Sequence, residues 1–283
     1  MENQKQAEIE LKIMLEPQNV ALVENYLNQT MPFPVLAHQT ELLGNTYYDT
    51  PAQFFATQKM GLRVRSVNQQ YEITLKTQGE IVGGLHIRPE YNLALPNSQP
   101  DFQTLVEKYQ LPFENSEQIA ESLQATFSTD FTRKTWLLRV GQSELEVALD
   151  LGTIKNHFGE EPICELEFEI KQGELSDLFT LVDAIPKANG MWLSNLSKAQ
   201  RGYLLGQAVK FEQKIATAVV GENSEKLAQL LADFIRIGNE KSEVLARFNQ
   251  CTQQQFSNWQ QARAFVKSQA YLEDNLKALK QQF

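Results

Sequence analysis

A chain of 283 residues with 42% hydrophobic and 22% charged side chains has the composition of a soluble globular protein, long enough for one sizeable domain and a smaller one. A formal net charge of −9 argues against a nucleic-acid binder that works through a basic surface. Two cysteines, Cys164 and Cys251, argue against a disulfide framework and lack zinc-site spacing; with a polar N-terminus and no apolar run near the roughly 18 residues of a membrane span, the chain is expected in the cytoplasm, away from membranes.

The first predicted element is a strand. Glu8-Ile9-Glu10-Leu11-Lys12-Ile13 alternates charged and apolar residues, and successive side chains of a strand point to opposite faces. Leu15 to Thr30 reads as a helix, with Pro17 suited to its start and Val20, Val23, Tyr26 and Leu27 as an apolar stripe. Strands follow from about Leu42 to Tyr91, punctuated at Gly61, Asn68 to Gln70 and Gly83-Gly84. Arg63 and Arg65 share a face, as do Glu72, Thr74 and Lys76, and His86, Arg88 and Glu90. Residues 97–125 turn helical, with Pro100 and Asp101 opening one segment and Ser116 capping another. Strands resume at about Phe127, and Gly141-Gln142 reads as a hairpin turn. Glu146, Ala148 and Asp150 alternate, then Glu165, Glu167, Glu169 and Lys171. Glu174 to Ala184 is helical, and a last short helix carries Lys198 and Arg201 three residues apart, on one face.

Strands with one apolar and one charged face fit two architectures. An open sheet would turn its charges to water. A closed barrel could turn its apolar face outward under helices and its charges inward, where they must pair or bind ions. Acid-rich strands at both ends and basic strands between them suit a polyanion held with a divalent metal.

The ordered set of motifs resembles the CYTH superfamily, the triphosphate tunnel metalloenzymes. Glu8-Ile9-Glu10-Leu11-Lys12 is similar to the E-x-E-x-K signature, Tyr47-Tyr48-Asp49-Thr50 to a tyrosine-tyrosine-acid-threonine segment, and Leu62-Arg63-Val64-Arg65 to the L-R-x-R strand. Thr74-Leu75-Lys76, Arg88-Pro89-Glu90, Arg133, Asp150, Glu165-Leu166-Glu167 and Ser197-Lys198-Ala199-Gln200-Arg201-Gly202-Tyr203 complete the order. The stretches Gly83 to Asn92 and Pro162 to Glu167 look nearest to the bacterial inorganic triphosphatase branch.

The resemblance implies an α+β fold: a closed antiparallel β-barrel, or tunnel, with a charged interior flanked by helices over residues 1–206. It implies metal-dependent hydrolysis of inorganic tripolyphosphate to pyrophosphate and phosphate. Glu8, Glu10, Asp150, Glu165 and Glu167 would hold Mg²⁺ or Mn²⁺, which prefer oxygen ligands. Lys12, Arg63, Arg65, Lys76, Arg88, Arg133, Lys198 and Arg201 would bind phosphate, arginine through its fork of donors. Arg88 and Glu90 could instead pair with each other, and Pro89 between them suggests a bulge or strand edge. Lys12 or Lys76 could act as catalytic base only with a lowered pKa; water activated by the metal is the simpler source. His86 and His157 read as structural or exposed. Thiamine or nucleoside triphosphatase, adenylate cyclase and a non-catalytic polyphosphate-binding module stay open as alternatives.

From about residue 210 the composition changes. There is no proline, glycine occurs only at 221 and 238, and glutamine and lysine are frequent. Leu227, Leu230, Leu231 and Phe234 form one helical stripe, and Phe265, Leu272 and Leu276 a second. Residues 210–283 are therefore expected to form a small C-terminal domain of roughly two to four helices, serving packing or a homodimer. The family often appends a helical, histidine-bearing domain associated with polyphosphate; this tail has no histidine, so that property is not carried over.

Overall fold

The computed structural model describes residues 7–207, 210, 212–213, 224–237 and 240–283. Ten strands form one antiparallel sheet: β1 (Ala7–Leu15), β2 (Val35–Asp49), β3 (Gly61–Val67), β4 (Gln70–Lys76), β5 (Glu80–Val82), β6 (Leu85–Leu95), β7 (Gln124–Val140), β8 (Ser143–Asn156), β9 (Gly159–Gln172) and β10 (Met191–Leu193). Eight of them run in the order β1-β9-β8-β7-β2-β3-β4-β6, and β6 pairs back to β1, closing a barrel. β1 makes the closure. Ala7 to Leu11 lie opposite Pro89 to Leu85 of β6, while Glu10 to Met14 lie opposite Glu169 to Glu165 of β9. Past Leu11, β1 pairs with β10 at Ile13 to Leu15.

Closure decides between the two architectures. Most apolar residues of the strands point outward and are covered, although Leu43, Val67, Ile81, Phe131 and Ile170 reach the interior. Leu11, Ile13, Leu138, Val147, Leu166 and Phe168 pack with Val23 and Leu27 and with Leu178, Leu181 and Val182 of a helix at Leu175–Ala184. Leu62, Val64, Ile73 and Leu75 pack with Phe102, Leu105, Val106 and Ile119 of two helices at Phe102–Tyr109 and Ser116–Glu121. Burying a leucine or valine in this way stabilises the fold by roughly 1.5–3 kcal/mol per side chain. The charged faces are left to line the interior.

Numbering the helices in chain order gives α1 (Val20–Asn25), α2 (Phe54–Thr57), α3 (Phe102–Tyr109), α4 (Ser116–Glu121), α5 (Leu175–Ala184) and α6 (Lys198–Leu204), then α7 (Ser224–Ile237), α8 (Ser242–Thr252), α9 (Trp259–Val266) and α10 (Gln269–Lys280). Several expectations shift. The first helix divides into a 3₁₀ turn at Pro17–Asn19, α1 and a π turn at Tyr26–Thr30. β2 starts at Val35 rather than Leu42; residues 35–40 are exposed on both faces, so no apolar–polar alternation marks this part of the strand. Asp101 caps α3 by accepting the Thr104 N–H, but Ser116 is the first residue of α4, not its cap. The second tail stripe is two helices. Phe265 lies on α9, and Leu272 and Leu276 on α10, whose N-cap Ser268 accepts the Tyr271 N–H.

α10 turns Leu272, Leu276 and Leu279 into the main core of the barrel. α7, α8 and α9 form a second core around Leu231, Phe234, Phe248 and Val266, which also takes in Leu196 from the barrel side. The tail stripes are thus spent on packing within the chain. Gly221 and Gly238 lie outside the described residues. Among the described residues, no helix is long and apolar enough to cross a membrane.

Candidate active site

The barrel interior holds a cavity of about 900 Å³. Among the described residues, ten lysines and arginines line it against eight glutamates, so its wall is net positive in a chain whose net charge is −9. Alternation puts Glu8, Glu10 and Lys12 of β1, Arg63 and Arg65 of β3, Glu72 and Lys76 of β4, Arg88 and Glu90 of β6, Arg133 of β7 and Glu167 of β9 on this lining. α6 adds Lys198. That helix starts in a capping box between Ser197 and Gln200 and lies flush on Phe127: a Cβ added to Gly202 would fall 2.3 Å from the Phe127 ring.

The charges fall into three groups. The first is a buried cluster of Asp150, Glu165 and Glu167, carboxylates whose oxygens come within 4.8 Å of one another. Lys12 Nζ donates to Glu165 Oε1 at 2.8 Å and to Glu167, and Glu10 lies 3.6 Å away. Lys198 Nζ reaches Asp150 Oδ2 at 2.6 Å, Glu167 Oε1 at 2.8 Å and also Glu165. Arg133 grips Asp150 with two bonds of 2.7 and 2.6 Å and also reaches Glu167. Arg201 binds Glu161 at 2.6 Å, Glu165 at 2.7 Å and the Pro162 carbonyl at 2.5 Å.

The second group is a triad in which Lys76 Nζ bonds Glu8 Oε2 at 2.5 Å and Glu90 Oε2 at 2.8 Å. Burial first, and then neighbouring Glu10 and Glu90, raise Glu8 to about 7 against the pull of Lys76. Burial and Glu167 push against ionisation of Glu10, yet Lys12, Lys76 and His86 bring it down to about 2. Of the two readings of Arg88 and Glu90, the mutual pair does not form; Glu90 pairs with Lys76, which lies directly opposite on β4. Pro89 falls where β6 leaves β5, which ends its pairing at Ile87, for β4, which begins at Glu90. A residue with no N–H to donate is tolerated at such a gap.

The third group is an arginine wall. Among the described residues, no carboxylate lies within ion-pair distance of Arg63, Arg65 or Arg88. Arg65 Nε bonds Asn45 Oδ1 at 3.0 Å, and the Nε atoms of Arg63 and Arg88 are buried without a partner. Burial, then Arg63 and Arg133, push Arg65 down to about 10. Cations crowd cations here, an arrangement that an anion would relieve.

The lowered pKa that Lys12 or Lys76 would need to act as a base is not found. Burial does act to lower them, but Glu165, Glu167 and Glu10 around Lys12, and Glu8 and Glu90 around Lys76, outweigh it and raise both. Both are ammonium groups, suited to neutralising charge and not to accepting a proton. Asp150, Glu165 and Arg201 are not on the cavity surface but sit behind it. His86 is fully buried and off the lining, and Cys164 lies in the core, where burial lifts its thiol to about 11. Asp49 is a local organiser: it accepts from Thr50, Phe55 and Ala56 N–H and from the Tyr203 hydroxyl.

Sequence reasoning missed several lining residues. Gln39, Glu41, Leu43 and Tyr47 share one parity on β2 and could have been found once its start at Val35 was known, although no apolar–polar alternation marks that end of the strand. Lys59 and Lys210 could not, since one sits in a turn at φ 57° and the other follows α6, bonding Gln53 Oε1 at 3.0 Å.

A closed barrel lined by cations and backed by a buried carboxylate cluster defines a tunnel fold with a charged interior. Residues 6–203 match the CYTH domain, and the chain belongs to that family. The inorganic triphosphatase of Haemophilus influenzae is 47% identical over 207 residues, which are 73% of this chain and 57% of that protein. The chain thus spans little more than half the length of that relative. Among solved structures, HpAC1 from Hippeastrum, an adenylyl cyclase candidate with a dominant triphosphatase activity, shares the fold with a TM-score of 0.50 at 22% identity, over 69% of this chain and 95% of that one.

Proposed function

We propose that the chain is a metal-dependent inorganic triphosphatase that hydrolyses tripolyphosphate to pyrophosphate and phosphate inside the barrel. The observation that carries this reading is the arginine wall: Arg63, Arg65 and Arg88 line the cavity without a carboxylate partner among the described residues. A buried cation without a counter-ion is costly, and a guanidinium fork matches phosphate oxygens. The similarity to the Haemophilus influenzae protein supports the choice of an inorganic substrate.

The donor set of the buried cluster fits a hard divalent cation: three carboxylates with oxygens within 4.8 Å of one another and no nitrogen or sulfur ligand. In this reading Asp150, Glu165 and Glu167, with Glu8 and Glu10 from β1, hold Mg²⁺ or Mn²⁺. Once bound, the ion neutralises phosphate charge and stabilises the leaving oxygen. The chain does the rest. Arg63, Arg65 and Arg88 bind and orient non-bridging oxygens. Lys12, Lys76, Arg133 and Lys198 stay cationic and supply charge along the chain of phosphates, and Arg201 holds Glu165 in place from behind.

Phosphate release from tripolyphosphate, ATP and thiamine triphosphate, each with Mg²⁺, with Mn²⁺ and with a chelator, tests the reading. Metal-dependent release from tripolyphosphate well above that from the other two is expected. Release equal to or below that from ATP would overturn the substrate, and release untouched by chelator would overturn the metal.

A further inference from the structure

The four residues between β10 and α6 are anchored one by one. Ser194 Oγ accepts the Leu196 N–H at 3.2 Å, Leu196 is buried in the core of the tail helices, and Ser197 caps α6. Asn195 reaches in two directions. Its Oδ1 accepts the Gly84 N–H at 2.8 Å, and its Nδ2 donates to Gln229 Oε1 of α7 at 3.1 Å. The Gly84 carbonyl in turn accepts the Lys12 N–H at 3.0 Å.

A continuous path of hydrogen bonds therefore runs from the tail through Asn195 and the β5–β6 turn to the backbone of Lys12. The turn has little room to slide, since Gly84 adopts φ +86° and an added Cβ would lie 3.2 Å from Leu193 Cβ. Three residues beyond Asn195 comes Lys198, whose ammonium shares Glu165 and Glu167 with Lys12. Neither Asn195 nor Gln229 lines the cavity.

We propose that Asn195 is a positioning residue of the site, setting Lys12 of β1 against Lys198 of α6, and that Gln229 is the contact through which the C-terminal helices reach it. The inference rests on the triphosphatase reading. Two cations that share two acceptors are sensitive to relative displacement, and a misplacement of about 1 Å can cost on the order of 10²-fold in rate. Substrate binding should suffer less, because Arg63 and Arg65 stand on β3, which this path does not touch.

The test is kcat and KM for tripolyphosphate, with thermal unfolding alongside, on the full chain. Asn195→Ala is expected to lower kcat at least ~10-fold with KM within ~3-fold of wild type. Asn195→Asp keeps an acceptor for Gly84 and offers Gln229 a second oxygen, to which its amide can donate, and should restore kcat to within ~3-fold. A kcat for Asn195→Ala within that margin of wild type, a loss confined to KM, or an Asp variant as slow as the Ala variant would each overturn the proposal. If Asn195→Ala does not fold, Gln229→Met removes only the tail's end of the path: a fall in kcat at constant KM supports the proposal, and an unchanged kcat defeats it. Absence of turnover in the wild-type chain would be a failure of the triphosphatase reading instead. The path is then read by amide hydrogen exchange at Lys12 and Gly84, which Asn195→Ala should speed at least ~10-fold and which, unchanged, would refute it.

Discussion

Lys198 has Asp150, Glu165 and Glu167 within ion-pair distance, whereas Arg63, lining the same cavity, has no carboxylate partner among the described residues. Both side chains are buried and both are cationic. In the cluster around Lys198, each cation already has carboxylate partners in the chain. In the arginine wall no carboxylate lies within ion-pair distance among the described residues: at Arg63 burial is outweighed by Tyr47 and Glu90, which raise its pKa, while at Arg65 burial, then Arg63 and Arg133, push it down. Cations of one kind already have carboxylate partners in the chain, and those of the other kind have none within ion-pair distance among the described residues.

Glu167→Ala should produce the largest effect, and on stability. It takes one partner each from Lys12, Arg133 and Lys198, leaving them Glu165 and Asp150, and breaking a buried pair costs about 3–5 kcal/mol. Thermal unfolding should fall by roughly 10 °C for a domain of this size; a fall of less than ~2 °C would show that the cluster rearranges freely. Arg63→Ala should do the reverse. Its loss leaves no carboxylate unpaired, so the melting temperature should hold or rise. KM for tripolyphosphate should climb about 10- to 100-fold, the worth of one or two charge-assisted bonds of ~1.5–3 kcal/mol. An Arg63→Ala protein with unchanged KM and a lower melting temperature would erase the distinction between cluster and wall.

Much of this was legible in the sequence because a strand sorts its residues by parity. Glu8, Glu10 and Lys12, or Arg63 and Arg65, could be placed on one face without any coordinates. Pairing could not be read this way. Lys12 meets Glu165 across 153 positions of sequence, and Glu90 takes Lys76 rather than its near neighbour Arg88. Such choices depend on strand order and register, which alternation does not encode. Closure through β1 and β6 is hidden for the same reason. The tail was legible as helices, but not its destination: an apolar stripe says that Leu272 and Leu276 are covered, not that the barrel core covers them.

A smaller effect sharpens the comparison from a third position. His86 follows the parity of Arg88 and Glu90, yet it is buried off the lining, opposite Glu10 in register. Burial, then Arg88 and, more weakly, Lys12, hold it at about 3, with only Glu10 and the Ser194 backbone favouring its charge. It is a group with neither a counter-ion nor a ligand, and it stays folded by remaining neutral. The sign follows from linkage. Between the ordinary histidine value near 6.5 and about 3, the unfolded chain binds a proton that the folded chain does not. Stability is therefore full above about pH 6.5 and falls as pH drops, by at most ~1.4 kcal/mol per unit from this residue. His86→Gln removes the titration, so the stability difference between wild type and variant should shift against wild type by about 1 kcal/mol between pH 6 and pH 5. Chemical denaturation at the two pH values measures it. A difference independent of pH would mean that His86 titrates alike in both states, and that the barrel interior tolerates a cation there as readily as it does at Arg63.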